Sequence, residues 1–194
     1  MKIWKQFFKA ARNTKRHLVV GLTVISIIAS SVLPFIIPSK VNAGTFTSAK
    51  VVISDSRASQ SSVTYDFAFT TTVTTDIKQI DIKFCTQVGQ FGDTCTAPTG
   101  FSVSSASRAS DNVAGTGRTD SQPGANQWRT VITTPAAQAT QAVTLQLTGV
   151  ANPSTTDTSF FPRIVTYSDT GTTVIDYAQV AFATLTSTSI AVSA

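Results

Sequence analysis

Residues 44–194 predict an all-β fold, an antiparallel β-sandwich of immunoglobulin-like or fibronectin-like kind with a jelly roll as the alternative, behind an N-terminal hydrophobic export helix. Three observations predict it. Apolar and polar residues alternate in short runs, the period-2 signature of half-buried strands. Turn residues punctuate those runs at close intervals. No window of ten or more residues beyond residue 44 shows helical spacing. A length of about 150 residues is one domain's worth and suffices to bury a core of its own.

The leader comes first. Residues 1–43 hold seven of the fifteen basic groups (Lys2, Lys5, Lys9, Arg12, Lys15, Arg16, Lys40) and no acid, and Leu18 to Ile37 run for twenty residues without a charge. A positive segment followed by an apolar run is the input of export machinery, with the positive end left in the cytoplasm. Two readings follow for residues 1–43. About 20 apolar residues suffice to cross a bilayer, so the run can remain as an uncleaved N-terminal membrane anchor. Alternatively it is a cleaved signal peptide, because Pro34 and Pro38 break the helix and Val41-Asn42-Ala43 before Gly44 supplies the small residues a peptidase needs. The organisation expected is therefore residues 1–43 as export segment and residues 44–194 as a single β-sandwich domain. That partition also resolves the charge. The formal +5 of the whole chain becomes eight bases against ten acids over residues 44–194, net −2. With no basic stripe, nucleic acid is not an expected partner.

Strands are predicted near 45–54, 62–73, 77–86, 127–134, 142–149, 160–168, 173–185 and 187–193, with a further short one at 100–105. In the second, Val63, Tyr65, Phe67 and Phe69 alternate with Thr64, Asp66, Ala68 and Thr70. Ile80, Ile82 and Phe84 alternate with Asp81 and Lys83 in the third, and Val143, Leu145 and Leu147 with Thr144, Gln146 and Thr148 in the fifth. Thr and Ser supply 48 of the 151 residues after position 43, yet this order in the apolar positions separates the chain from a mucin-like stalk, and Thr suits the solvent face of a strand. Ser104 to Asn126, which contains Gly115, Gly117, Pro123 and Gly124, reads as a long loop, the kind of segment that carries function. Gly44 to Ser54 and Ser187 to Ala194 read as edge strands open to strand addition between copies.

Catalytic chemistry is thinly supplied. His17 and Met1, the only His and Met, lie in the leader, and the chain has no Glu, which removes Ser-His-Asp and Cys-His catalysis and most zinc sites. Asp169-Thr170-Gly171 matches the string of aspartic proteases, but those need two carboxylates sharing a proton, and between two strands the same residues make a hairpin turn. None of the ten Asp stand at a spacing that compels a glycosidase pair. No cofactor is expected except, as a minor alternative, Ca²⁺ on Asp111, Asn112 and Asp120 in the long loop, for which a D-x-D-x-D run is lacking. An isopeptide at Lys50 lacks an assignable buried acid. Cys85 and Cys95, with nine residues of a Gly-rich stretch between them, predict a disulfide in an oxidising compartment, with two reduced thiols as the alternative. Trp128 and Arg129 are the candidate ligand contacts. Trp128 is the one Trp after the leader, and it is either an exposed sugar platform or a core plug, the commoner fate of a lone Trp in such sandwiches.

Val51 to Ser59, Ser62 to Phe69, Gly149 to Thr155 and Arg163 to Asp169, with the closing Val180 to Ala183, resemble small exported immunoglobulin-like β-sandwich proteins of unassigned function from candidate-phyla bacteria. The resemblance covers most of residues 46–193. It implies a bacterial cell-surface or secreted module and brings no catalytic residue with it. The expectation is thus a non-enzymatic structural or adhesive module, acting through Thr-rich strands and the loop 104–126. A glycan- or peptidoglycan-binding module is the second reading and an Asp-dependent hydrolase the third. Expected partners are a cell-envelope component, a glycan or another protein, including copies of itself, with membrane contact only through residues 18–37 if these are retained.

Overall fold

The computed structural model describes residues 44–72, 74–138 and 142–186. Both the export segment 1–43 and the strand expected at 187–193 lie outside the described residues. Within them the chain forms eleven strands and no helix: β1 (Gly44–Thr45), β2 (Ser48–Ile53), β3 (Val63–Thr70), β4 (Gln79–Cys85), β5 (Ser107–Asp111), β6 (Gly115–Gly124), β7 (Gln127–Pro135), β8 (Ala142–Val150), β9 (Thr158–Tyr167), β10 (Val174–Gln179) and β11 (Phe182–Thr184). These build two sheets. The smaller runs β2-β3-β8-β5, and the larger runs β1-β10-β9-β4-β7-β6 with β11 on β9. All pairings of the named strands are antiparallel except the parallel pairing of β1 with β10.

The alternation read from sequence decides which residues meet between the sheets. Val63, Tyr65, Phe67 and Phe69 of β3 and Val143, Leu145 and Leu147 of β8 are buried from one side, and Ile80, Ile82, Phe84, Trp128, Ile132, Phe160 and Ile164 from the other. Aromatic edges lock the two layers together. The Tyr65 ring stands nearly perpendicular to Phe84 and Phe182, with centroids 5.8 and 5.3 Å apart. Its buried hydroxyl donates to Asn152 Oδ1 at 2.6 Å, while Asn152 Nδ2 donates to the carbonyls of Asp55 and Arg57, so the segment Asn152-Pro153-Ser154 is fastened to the core. Burial of this phenol pushes its pKa well up.

Three expectations are corrected. The segment 104–126 is not a loop, since β5 and β6 occupy most of it. Its glycines and proline are accommodated by position. Gly115 and Gly117 adopt φ of +103° and +70°, and Pro123 sits in an edge strand, where a missing N–H costs no ladder bond. The strand expected at 100–105 is instead a plug, with Phe101 and Val103 buried and only Ser102 bridging to Ala151. The long first and last strands are interrupted: 45–54 divides into β1 and β2, which join different sheets, and 173–185 into β10 and β11, which lie one after the other on β9. Of the two segments expected to be open edges, Gly44 to Ser54 supplies an edge strand to each sheet, β1 paired with β10 alone and β2 with β3 alone, and Ser187 to Ala194 lies outside the described residues.

Candidate functional site

The outer face of the larger sheet carries the densest gathering of functional side chains. Strand alternation puts Gln79, Asp81 and Lys83 of β4 outward, and the register aligns them across four strands. Asp81 stands between Arg129 on β7 and Val165 on β9, with Tyr177 of β10 beyond. Lys83 stands between Gln127 and Arg163, with Gln179 beyond. Gln79 stands between Val131 and Tyr167, with Val174 beyond. Val165, Tyr167 and Val174 form a small apolar cluster on this face, separate from the main core, with Tyr177 packed against it.

Above these rows lies a loop held shut by a disulfide. Cys85 ends β4 and is bonded to Cys95, as the sequence predicts, and residues 86–94 fold back over the sheet. Closing ten residues of chain this way removes about 3 kcal/mol of unfolded-state entropy on the loop-closure model. The sheet grips the loop from below. Arg163, only 5% exposed, donates from Nη1 to the Asp93 carbonyl at 2.8 Å and from Nη2 to those of Thr94 and Gln87 at 3.2 and 3.4 Å. The Tyr177 hydroxyl donates to the Gly89 carbonyl at 2.6 Å, and the Gln179 amide accepts from the Gly89 N–H. A side chain at Gly89 would run into the Arg163 guanidinium, 2.2 Å from an added Cβ. Phe91, 44% exposed, sets its ring against that of Tyr177 at 6.3 Å.

Loop and sheet together enclose a concavity of about 280 Å³ lined by Asp81, Lys83, Phe91, Gln127, Arg163, Tyr167 and Tyr177, among others. Of the two acids that line it, Asp81 and Asp93, the first is saturated. Asp81 accepts two bonds from Arg129 at 2.8 and 2.6 Å, one from Gln79 Nε2 at 2.9 Å and one from Gln127 Nε2 at 3.2 Å, which fills the four acceptor positions of a carboxylate. Asp81 therefore sets the geometry of the face and has no lone pair free for a substrate proton. Burial pushes the Tyr167 hydroxyl up to about 12, with the Asp81 charge adding to the shift, so it is a neutral donor at ordinary pH.

The structure separates the two ligand contacts expected from sequence. Trp128 points into the core at 1% exposure and presents no face to a ligand, which corrects its candidacy as a sugar platform. Arg129, the next residue along the strand, points to the opposite side and lies on the candidate face, paired with Asp81. The three residues of the calcium expectation are bonded within the protein. Asp111 is held by Arg108 and Arg118 at 2.8 and 3.0 Å and Asp120 by Arg108 at 3.2 Å, an ionic seam between β5 and β6, while Asn112 caps the Thr144 N–H. Asp169 accepts the N–H groups of Thr172 and Thr173 at 2.7 and 2.9 Å, which hold its carboxyl below the usual range, and Gly171 takes φ of +95°, the turn geometry its sequence predicts. Lys50 is exposed on β2.

Lys83, Phe91, Arg163 and Tyr177 are functional candidates that sequence reasoning missed. The alternation of β4 already marked Lys83 as outward, and the paired cysteines marked 86–94 as a closed loop, but nothing local indicated that the loop would lie over β9 and β10.

No family model and no curated protein matches the chain. Among solved structures it is similar to the human F-spondin reeler domain in two crystal structures. One is 10% identical with a TM-score of 0.37, covering 76% of this chain and 98% of the matched one. The other is 6% identical with a TM-score of 0.33, covering 74% and 99%.

Proposed function

We propose that the chain is an exported β-sandwich module, at the cell surface or secreted, that works by binding a cell-envelope component and not by catalysis, and that the concave face beside the disulfide loop is its contact surface. The observation that carries this reading is the way Arg163, Tyr177 and the disulfide fix residues 86–94 over that face. A loop held by three devices is preorganised for contact, and preorganisation lowers the entropy cost of binding. The saturated Asp81 is a poor general base, and Asp93, the other acid of the concavity, accepts the Gln90 N–H within the disulfide loop, which favours binding over hydrolysis. The basic leader and the disulfide support export into an oxidising compartment.

An immunoglobulin-like topology is supported by strand order. The run β2-β3-β8-β5 corresponds to strands A-B-E-D and β10-β9-β4 to G-F-C, and the parallel β1 on β10 extends the second sheet. The chain departs from that pattern in one respect: the hairpin β6–β7 that extends the second sheet comes after β5 in sequence.

A glycan ligand is favoured by the half-exposed Phe91 ring beside Tyr177, ringed by the amides of Gln90 and Gln127 and the ammonium of Lys83. The test is co-sedimentation of the exported protein with purified peptidoglycan sacculi and with envelope polysaccharide, for wild type, Phe91→Ala, Lys83→Ala and, as a control on the opposite sheet, Lys50→Ala. Surface labelling of intact cells accompanies it. The expected result is labelling without lysis, and at least tenfold weaker sedimentation for the first two variants with Lys50→Ala unchanged. Equal binding by all four proteins, or labelling only after lysis, overturns the proposal.

A further inference from the structure

Asp176 is a buried carboxylate for which the domain supplies no cationic side chain. It lies on β10 at 0% exposure, accepting the Thr72 N–H at 3.1 Å and the Thr72 hydroxyl at 2.5 Å. A carboxylate withdrawn from water is costly unless a cation compensates it. All eight basic side chains of residues 44–194 lie in the described part, and their placements are known. Arg57, Arg108, Arg118 and Arg129 are in ion pairs with other acids. Arg163 holds the disulfide loop and Lys78 donates to the Thr133 carbonyl. Lys50 and Lys83 are exposed on outer faces.

What does reach Asp176 is Gly44. The two residues are register partners in the parallel β1–β10 pair. The approach is so close that a Cβ built on Gly44 would stand 2.3 Å from Asp176 Oδ1 and 2.9 Å from the Thr72 hydroxyl. From this point the chain is built into the sandwich: the Phe46 N–H donates to the Tyr177 carbonyl, and the Phe46 ring packs on Phe69 at 4.5 Å. Gly44 is also the residue that follows the peptidase-type sequence Val41-Asn42-Ala43.

We infer that the bond between Ala43 and Gly44 is a processing site whose cleavage supplies the missing cation, the Gly44 α-ammonium, to the buried Asp176 carboxylate. This rests on the export reading above. The step is a hydrolysis by a signal peptidase: water adds across the amide, its oxygen stays with the Ala43 carboxylate, and the Gly44 nitrogen leaves as an amine that is protonated at neutral pH. A free α-amine normally titrates near 7.7–8.0. Beside a buried carboxylate its charged form is favoured and its pKa rises. The other side chains that meet Asp176, Thr72 and Thr166, do not titrate, and Tyr177 on β10 points to the opposite face. The raised value fixes the pH dependence. Stabilisation is complete below the unfolded pKa near 8 and is lost as pH rises through the folded one.

The test uses the protein exported and processed by its own leader. Intact mass gives the first residue, and labelling at pH 8 with an amine-acylating reagent, read by N-terminal peptide mass, gives the reactivity of its α-amine. The expected result is a chain starting at Gly44 whose α-amine reacts at least tenfold more slowly than that of a peptide Gly-Thr-Phe, with Asp176→Asn restoring the peptide rate to within about twofold. If that variant does not fold, NMR titration of the wild-type ammonium decides alone, with a midpoint above about 9 expected against the free value near 8. A retained leader or a different first residue overturns both the cleavage reading and the pairing. A Gly44 start with a peptide-like amine overturns the pairing and leaves export standing.

Discussion

Arg163 and the disulfide hold the same nine-residue loop, so their contributions are predicted to be coupled. Replacing Cys85 and Cys95 by Ala returns the closure entropy of a ten-residue separation to the unfolded chain, a loss of about 3 kcal/mol. Arg163→Met removes one short and two longer hydrogen bonds from a buried guanidinium to the carbonyls of Asp93, Thr94 and Gln87. Hydrogen bonds to a charged group contribute about 1.5–3 kcal/mol, but these carbonyls regain water when the loop lifts and the guanidinium no longer has to be desolvated, so the net loss is about 1–2 kcal/mol. Once the disulfide is gone the loop is partly lifted already, and the second change removes less. The triple variant is expected to be more stable than additivity requires by about 1 kcal/mol, well outside the scatter of independent sites. Urea unfolding followed by the emission of Trp128 measures all four corners of the cycle. Additivity within about 0.3 kcal/mol would refute the claim that Arg163 acts through the loop.

Four further outcomes follow from the same structure. Tyr65, Tyr167 and Tyr177 all have pKa values raised mainly by burial, Tyr167 to about 12, so the neutral phenols contribute stability that is complete below pH about 10 and is lost as pH rises through the folded values. Absorbance at 295 nm should show little phenolate near pH 10 and then a cooperative rise with unfolding; three ordinary titrations near 10 would contradict the burial. Asp169, whose carboxyl is lowered by the turn N–H groups, should titrate below about 3.9 by carboxyl NMR, and its contribution should fade only as pH falls through that folded value. Trp128→Ala should lose about 3–5 kcal/mol in denaturant unfolding and Trp128→Phe clearly less, while wild-type emission is already blue-shifted without ligand. Asp111→Ala leaves Arg118 without an acid and Arg108 with Asp120 alone, and should lose about 2 kcal/mol, with hydrogen exchange faster in β5 and β6 first.

The readable part of the fold is the part in which one face of a strand meets the core and the other meets water. β3 and β8 write their burial directly into the chain because every second residue is apolar, and their inward faces were legible down to single residues. β6 failed that test for a physical reason. It is the edge of the larger sheet, its inward positions Arg118 and Asp120 meet the ionic seam and not the core, and no alternation of hydrophobicity survives. Interruptions were equally hidden: β10 and β11 occupy one edge of β9, and only the Val180 N–H to Pro162 carbonyl bond marks the step between them. The candidate face was illegible because it is made by register. Asp81 meets Val165 and Lys83 meets Arg163 across strands some 80 residues apart, and no local pattern encodes such a pairing. The disulfide was legible because the chain holds two cysteines and no competing ligand.

Charge placement links these observations and favours one outer face over the other. A domain of net −2 with eight bases leaves few cations free once the structure is satisfied. Five of the six bases bonded within the protein, Arg108, Arg118, Arg129, Arg163 and Lys78, serve to fix an edge, a loop or a register on the larger sheet or its seam. Lys50 and Lys83 are the remainder. Lys50 stands on the smaller sheet among Val52, Asp66, Ala68 and Thr144, where the one aromatic, Phe67, is buried in the core and Asp66 already accepts from Gln146. Lys83 stands beside an aromatic pair and beneath a loop that cannot move away. A free cation next to a rigid, half-exposed ring offers a partner both charge and contact area, which is where binding energy concentrates. The same rigidity explains why so many polar groups on this face are bonded to one another: they hold Phe91 and Lys83 in place, and those two are left to meet what lies outside.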